Sequence, residues 1–154
     1  MLNRAWIEAH IPHQGRMCLL DEVVEWGAGH IRCRSTTHRA LDNPLRSQNR
    51  LGIACGIEYA AQAMALHGAL AGSEADGIKS RPAPELGFLA SVRDVHMYAP
   101  RLDDIESDLI CTASLLAGDR STALYEFALR EDRGILLTGR ASVVLDAGRH
   151  VKHG

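Results

Sequence analysis

The sequence predicts an α+β domain: a strongly curved antiparallel sheet wrapped around one long central helix. Three observations carry this. The segment near Ile53–Ala71, about five turns long, is built of strong helix formers with few β-branched residues. It is apolar nearly all round, and such a helix must be covered nearly all round. Two strand-like runs precede it and four follow it, and a sheet covers most of a helix only by curving.

The elements follow in order. "MCLLDEVVEW", Met17–Trp26, starts apolar and then loosely alternates. "HIRCRSTTH", His30–His38, sets Ile31, Cys33, Ser35 and Thr37 against Arg32, Arg34 and Thr36. "GAG" between them is a turn, so the pair is a hairpin. "RALDNPLRSQNR" has no sustained period and contains Asn-Pro, which predicts a loop before the helix. "GSEADGIKSRPAPEL" predicts a mobile loop after it. Four strands come next: "GFLASVRDVHMY", "IESDLICTASLLA", "STALYEFALRED" and "GILLTGRASVVLD". One domain over residues 1–146 and a flexible tail over 147–154 are expected. Ala60, Ala61, Ala63, Ala65 and Gly68 would let the sheet approach the helix closely. The open sheet edge would need a partner, and a dimer joining two edges into one sheet is the natural remedy.

Composition narrows the function. A chain of 154 residues suits one domain. Its net charge is −2 and its Lys and Arg are scattered, which excludes the basic stripe of a nucleic-acid binder. Cys18, Cys33, Cys55 and Cys111 are far apart with no C-x-x-C pair. They read as reduced thiols of a cytoplasmic protein, neither a disulfide frame nor a metal site. The N-terminus has no long apolar run of a signal peptide. Leu51–Gly72 is long enough to cross a bilayer but carries Glu58, Gln62 and His67. A central carboxylate costs roughly 3 kcal/mol in lipid, so a buried helix is the better reading. No phosphate loop, nucleophile elbow or dinucleotide fingerprint is present, and no cofactor is expected. "HVKH" in the tail is too weak a pattern for a metal.

Glu58 is the lone charge in "ACGIEYAAQAMALHGAL". It is either a first-turn Glu favoured by the helix dipole and half exposed, or a carboxyl set in an apolar wall. Desolvation there would favour the protonated acid, able to donate to a leaving group. Gln62 lies one turn on, on the same face. It would orient that carboxylate, line a pocket, or serve as a core amide bonded to backbone. His67 follows nine residues after Glu58, half a turn away, and is expected to pack elsewhere.

Specific motifs then match a family. "IPHQGRMCLLDEVVEW" resembles the L-P-H-R-x-P-x-L-L-x-D-R-V opening of the 3-hydroxyacyl-acyl-carrier-protein dehydratases. "GIEYAAQAMALHG" resembles their helix motif, and I-E-Y-x-A-Q is most similar to the dehydratase-like branch of aryl-polyene clusters. "GFLASVRDVHMYAPRLDD" is similar to a third stretch. The matches run in order from Ile11 to about Leu145. They imply the hotdog fold, no cofactor, an acyl carrier protein as partner, and a homodimer or a heterodimer with another hotdog protein. In those dehydratases a G-H-F-P histidine before the helix is the base. Here the loop "LDNPLRSQNRLGIACGIE" has no histidine, so only Glu58 carries over, as the helix carboxylate.

The implied reaction removes the α-proton of a 3-hydroxyacyl thioester and expels the β-hydroxyl, giving a trans-2-enoyl thioester. It needs a base, an acid, and an N–H group to polarise the thioester carbonyl. Glu58 is the expected acid. His13, in the matched Pro-His motif, is either the expected base or a structural His fixing the N-terminal turn, and His38 beside the altered loop is a second candidate. Gln62, Gly56, Gly87, Phe88 and Leu89 are the expected substrate contacts, around a narrow apolar cavity along the helix. Arg16, Arg46 or Arg50 near its mouth would suit an acidic carrier protein. Two other readings compete. One is a hotdog thioesterase in which Glu58 activates water. The other is a non-catalytic subunit that completes the site of an active dehydratase.

Overall fold

A computed structural model describes residues 1–12, 15–76, 86–119 and 121–146. The elements are β1 (Leu2–Asn3), α1 (Arg4–His10), β2 (Glu22–Gly27), β3 (His30–Ser35), α2 (Gly56–Asp76), β4 (Leu86–Met97), β5 (Leu109–Gly118), β6 (Thr122–Glu131) and β7 (Gly134–Asp146). They form one seven-stranded antiparallel sheet in the order β1-β2-β3-β5-β6-β7-β4. The expected helix and six main strands are all present.

Register explains how the sheet meets the helix. Val23, Cys33, Cys111, Leu129 and Leu137 are partnered in turn across five strands. All five are buried. They form one continuous apolar row, and α2 packs on this face through Tyr59, Ala60, Ala63, Met64 and Leu66. Burial holds the thiols of Cys33 and Cys111 protonated, that of Cys111 pushed up to about 12. All four cysteines are free.

A second row runs Ile31, Ala113, Phe127, Gly139. A Cβ on Gly139 would lie 2.6 Å from Phe127 Cζ, inside the ring's own space. Gly139→Ala is therefore expected to cost about 1–3 kcal/mol by overpacking, read as a lower urea midpoint with an unchanged slope.

The structure also differs from expectation in places. Strand β2 starts at Glu22, five residues later than the apolar run suggests. Cys18, Leu19 and Leu20 are buried but unpaired with any strand. Side chains take their backbone groups instead. Arg4 donates to the carbonyls of Gly15, Cys18 and Leu20, while Ser35 and Thr37 donate to that of Leu19. Strand β3 ends at Ser35, because Thr37–Arg39 turns into 3₁₀ geometry. The N-terminal helix α1 has no counterpart among the expected elements. Asn3 caps it, accepting from the Trp6 N–H at 3.0 Å. Of the small residues on α2, Ala60 and Ala63 face the sheet, but Ala61, Ala65 and Gly68 are half exposed on the other side. The segment 147–154 lies outside the described residues.

No described helix is long and apolar enough to cross a membrane.

Candidate functional site

The entry to α2 is tightly fixed. Leu51 N–H donates to Asp103 Oδ1 at 2.9 Å, Leu102 N–H donates to Leu51 O, and Ile53 N–H donates to Pro100 O. Arg101 clamps Asp103 and holds its carboxyl well below the usual range. The chain then makes a 3₁₀ turn at Ile53–Cys55 and enters the helix at Gly56.

Gly56 is buried against the sheet. A Cβ there would lie 2.7 Å from Leu137 Cδ2 and 2.8 Å from Leu129 Cδ2. Its N–H is turned back to the Ile53 and Ala54 carbonyls. The expected substrate contact is thus a packing position, where the missing side chain lets the helix start press on β6 and β7.

Glu58 sits in the first turn of α2 and is exposed. Among the described residues its carboxylate has no hydrogen bond or ion pair. Among the described residues no apolar wall surrounds it. Its apolar neighbours in sequence point the other way: Tyr59, Ala60, Gln62 and Ala63 face inward. Glu58 shares its outward face with exposed Ala54 and half-covered Ile57, Ala61 and Ala65. The result is one carboxylate on a face of small apolar residues.

Gln62 is buried and fully used. Its Nε2 donates to Met17 O at 2.7 Å, and its Oε1 accepts from Leu19 N–H at 2.9 Å. Both ends of the amide bind backbone, so the expected substrate or Glu58 contact is corrected to a clamp. Gln62 fastens the non-strand segment after the Pro-His motif onto the helix.

The histidines separate clearly. His13 lies outside the described residues. His38 is buried, with Nε2 between the carbonyls of Ile105 and Ser107 at 3.0 and 3.1 Å. Carbonyls only accept, so Nε2 carries the proton; Nδ1 is buried without a partner. The ring is enclosed, with Nε2 spent on the two carbonyls. His67 is also buried, with Nε2 donating to Gly27 O at 2.9 Å and Nδ1 accepting from Tyr125 Oη at 2.7 Å. It lies about 13 Å along the helix from Glu58, at 1.5 Å per residue. His10 stacks on Trp6, and His30 faces Glu25 on the surface.

Burial lowers the pKa of both His38 and His67 below the ordinary value. The unfolded chain then takes up protons first as pH falls through about 6.5. Stability should be full above that pH and fall below it, by at most about 1.4 kcal/mol per pH unit for each ring. Urea midpoints at pH 7.5 and 5.5 test this; equal midpoints would contradict neutral burial.

Gly87 and Phe88 pair through their backbones with Leu145 and Val144 of β7. The side chain of Phe88 lies outside the described ones, and Leu89 is partly exposed. Arg16 and Arg50 are exposed. Arg46 is held by the carbonyls of Ala40, His38 and Asn49. Among the described residues no group of His, Cys, Asp or Glu is arranged to hold a metal.

Comparison with known proteins follows from this geometry. A family model described as ApeP-like, ApeP dehydratase, matches residues 5–150. The dehydratase heterocomplex ApeI:P from Xenorhabdus doucetiae is similar at 24% identity over 94% of this chain and 93% of that chain, with a TM-score of 0.80. A thioesterase from Haemophilus influenzae is similar at 11% identity over 82% of this chain and 78% of that one, TM-score 0.57. A hypothetical thioesterase with coenzyme A from Streptococcus pneumoniae is similar at 11% identity over 82% and 85%, TM-score 0.58. The shared architecture is the hotdog fold. No curated protein sequence matches the chain.

Proposed function

The chain belongs to the ApeP-like dehydratase family, and on that premise we propose that it dehydrates 3-hydroxyacyl thioesters held on an acyl carrier protein, working inside a two-subunit hotdog assembly. The observation that carries this is Glu58: exposed, without a partner among the described residues, and set on a small-residue face of the helix. Such a face is complete only when something covers it.

The sheet supports an assembly. β4 is twelve residues long and, among the described residues, pairs only with β7. Its outer edge is open among the described residues, and a long open edge invites another strand. Pairing through β4 would join two sheets into one. The ApeI:P complex is a heterocomplex, which favours a heterodimer with a second hotdog protein over a homodimer. The free cysteines support the cytoplasmic setting read from the sequence.

In the proposed reaction the imidazole of His13 takes the α-proton, and the electrons of that C–H bond become the C2=C3 double bond. The C3–O bond breaks, and the Glu58 carboxyl gives its proton to the departing oxygen, which leaves as water. The imidazolium then returns a proton to the carboxylate. Arg16 and Arg50, both exposed, would meet the acidic carrier. One other reading has an observation behind it. The described chain presents no histidine to Glu58, so a partner's base could complete the site, leaving this chain as a non-catalytic half.

The test incubates the chain, alone and with its hotdog partner, with 3-hydroxyacyl carrier protein and follows the carrier by mass spectrometry. Loss of one water from the acyl group is expected. Release of the free acid without enoyl product would mean a thioesterase. Product that survives replacement of both His13 and Glu58 would mean a non-catalytic half.

A further inference from the structure

The chain that delivers α2 comes out of a tight reversal. Ser47 and Arg50 exchange backbone hydrogen bonds at 2.8 and 3.0 Å, and Gln48 and Asn49 between them stand at φ 53° and 66°. This is the two-residue turn of a hairpin, closed on itself. Its residues are exposed. Among the described residues they bond to each other and to Arg46, so the turn itself fixes no position against the sheet.

Placement begins one residue later. Leu51 N–H donates to Asp103 Oδ1 at 2.9 Å, Leu51 C=O accepts from Leu102 N–H at 2.8 Å, and Ile53 N–H donates to Pro100 C=O at 3.1 Å. Two of these are backbone bonds that many sequences could make. The first needs a side-chain acceptor, and Asp103 supplies it. Asp103 Oδ1 also accepts from Arg101 Nε at 3.0 Å, and Oδ2 accepts from Arg101 Nη2. Asp103 stands on fixed ground. Its neighbour Leu102 is buried and accepts from Ile105 N–H, and the carbonyls of Ile105 and Ser107 are held by His38 Nε2.

We propose that Asp103 is a positioning residue for the dehydration: by fixing Leu51 it sets where α2 begins, and so where the Glu58 carboxyl stands. The proposal rests on the reading of Glu58 as the acid. Little slack separates the two points. Cys55 N–H returns to Gly52 O at 3.0 Å, and Gly56 N–H returns to the carbonyls of Ile53 and Ala54. A shift of Leu51 therefore passes into the first turn of the helix. Gly56 sets how closely that turn approaches Leu129 and Leu137, but without a side chain it resists neither rotation nor slide. Glu58 makes no hydrogen bond or ion pair with the described residues, so nothing there corrects an error made upstream. A displacement of about 1 Å at a reacting group can cost on the order of a hundredfold in rate. Arg101 holds the Asp103 carboxyl well below the usual carboxylate range, so Asp103 has no proton to give and acts only through what it holds.

Steady-state kinetics of the assembled complex on 3-hydroxyacyl carrier protein, at a temperature where melting shows every variant folded, tests this together with amide hydrogen exchange. Asp103→Ala should lower kcat about tenfold or more and leave KM within about twofold. Asp103→Asn keeps an oxygen for Leu51 N–H and should return kcat to within about threefold of the unsubstituted value. Asp103→Glu keeps the charge and the ion pair but moves the acceptor by a methylene, so it should lower kcat even if Asp103→Ala fails to fold. Gly139→Ala, destabilised within the sheet, should keep its kcat, which separates placement from loss of stability. Exchange should quicken at Leu51 and over Ala54–Glu58 in Asp103→Ala or Asp103→Glu, with β5 and β6 unchanged. Full kcat in both of those variants overturns the proposal, as does a loss shared equally by Asp103→Asn or Gly139→Ala, or unchanged exchange at the helix entry. An unsubstituted complex that forms no enoyl thioester refutes the dehydratase reading instead, and the exchange comparison still decides whether Asp103 sets the entry of α2.

Discussion

The Glu58→Gln protein should fold and assemble as the unsubstituted chain does, and form enoyl thioester at least about a hundredfold more slowly. The amide keeps the shape and hydrogen-bonding reach of the carboxyl but has no proton to give the departing β-oxygen. Little else should change. The side chain is exposed and makes no hydrogen bond or ion pair with the described residues, so removing its charge orphans nothing. A single-turnover assay on the assembled complex gives the rate, and thermal melting gives the fold control. Activity kept in full would remove Glu58 from the mechanism and leave this chain as the non-catalytic half. Glu58→Asp sharpens the reading. A shorter acid keeps the proton but retreats by one methylene, so part of the rate should return if proton donation is what was lost.

The fold was legible because its signals are periodic and local. Alternation in "STALYEFALRED" puts Tyr125, Phe127 and Leu129 on one face and Glu126, Ala128 and Arg130 on the other, as observed. The all-round apolar character of the Ala-rich segment correctly named a central helix. What failed were inferences that treat sequence neighbours as spatial ones. Glu58 sits among apolar residues in the chain, but the helix turns them inward and leaves the carboxylate outside. Cys18–Leu20 looked like a strand because it is apolar, yet its carbonyls go to Arg4, Ser35 and Thr37. The cap signal for α1 is a single residue, Asn3. The partnership of His67 with Tyr125, 58 residues away, has no local signal. Neither has the role of Gln62, whose partners lie 43 and 45 residues earlier in the chain.

That clamp makes the second large prediction. Gln62→Leu keeps the side-chain volume and helix propensity of the site but removes both polar ends. Leu19 N–H then loses its partner in a buried place, while the half-buried Met17 C=O can turn to water. A buried unsatisfied group costs about 1–3 kcal/mol, which is the expected loss. That is a large share of the stability of a domain this size. Gln62→Glu separates geometry from charge. Its carboxylate still accepts from Leu19 N–H, but it meets the Met17 carbonyl with oxygen where an N–H donor stood. Below the carboxyl's titration the protonated acid can donate to that carbonyl, so Gln62→Glu should gain stability relative to Gln62→Leu as pH falls. Urea unfolding of both variants between pH 5 and 8 checks this. Parallel pH profiles would show that the amide fills space without clamping. The consequence for function follows from what the clamp holds. The segment fixed by Gln62 leads directly from the Pro-His motif, and the helix carrying Gln62 also carries Glu58 one turn earlier. Loosening the clamp should therefore lower turnover in any variant still folded at the assay temperature, with substrate affinity less affected. The amide sets where two chain segments stand relative to each other and need not touch the acyl chain.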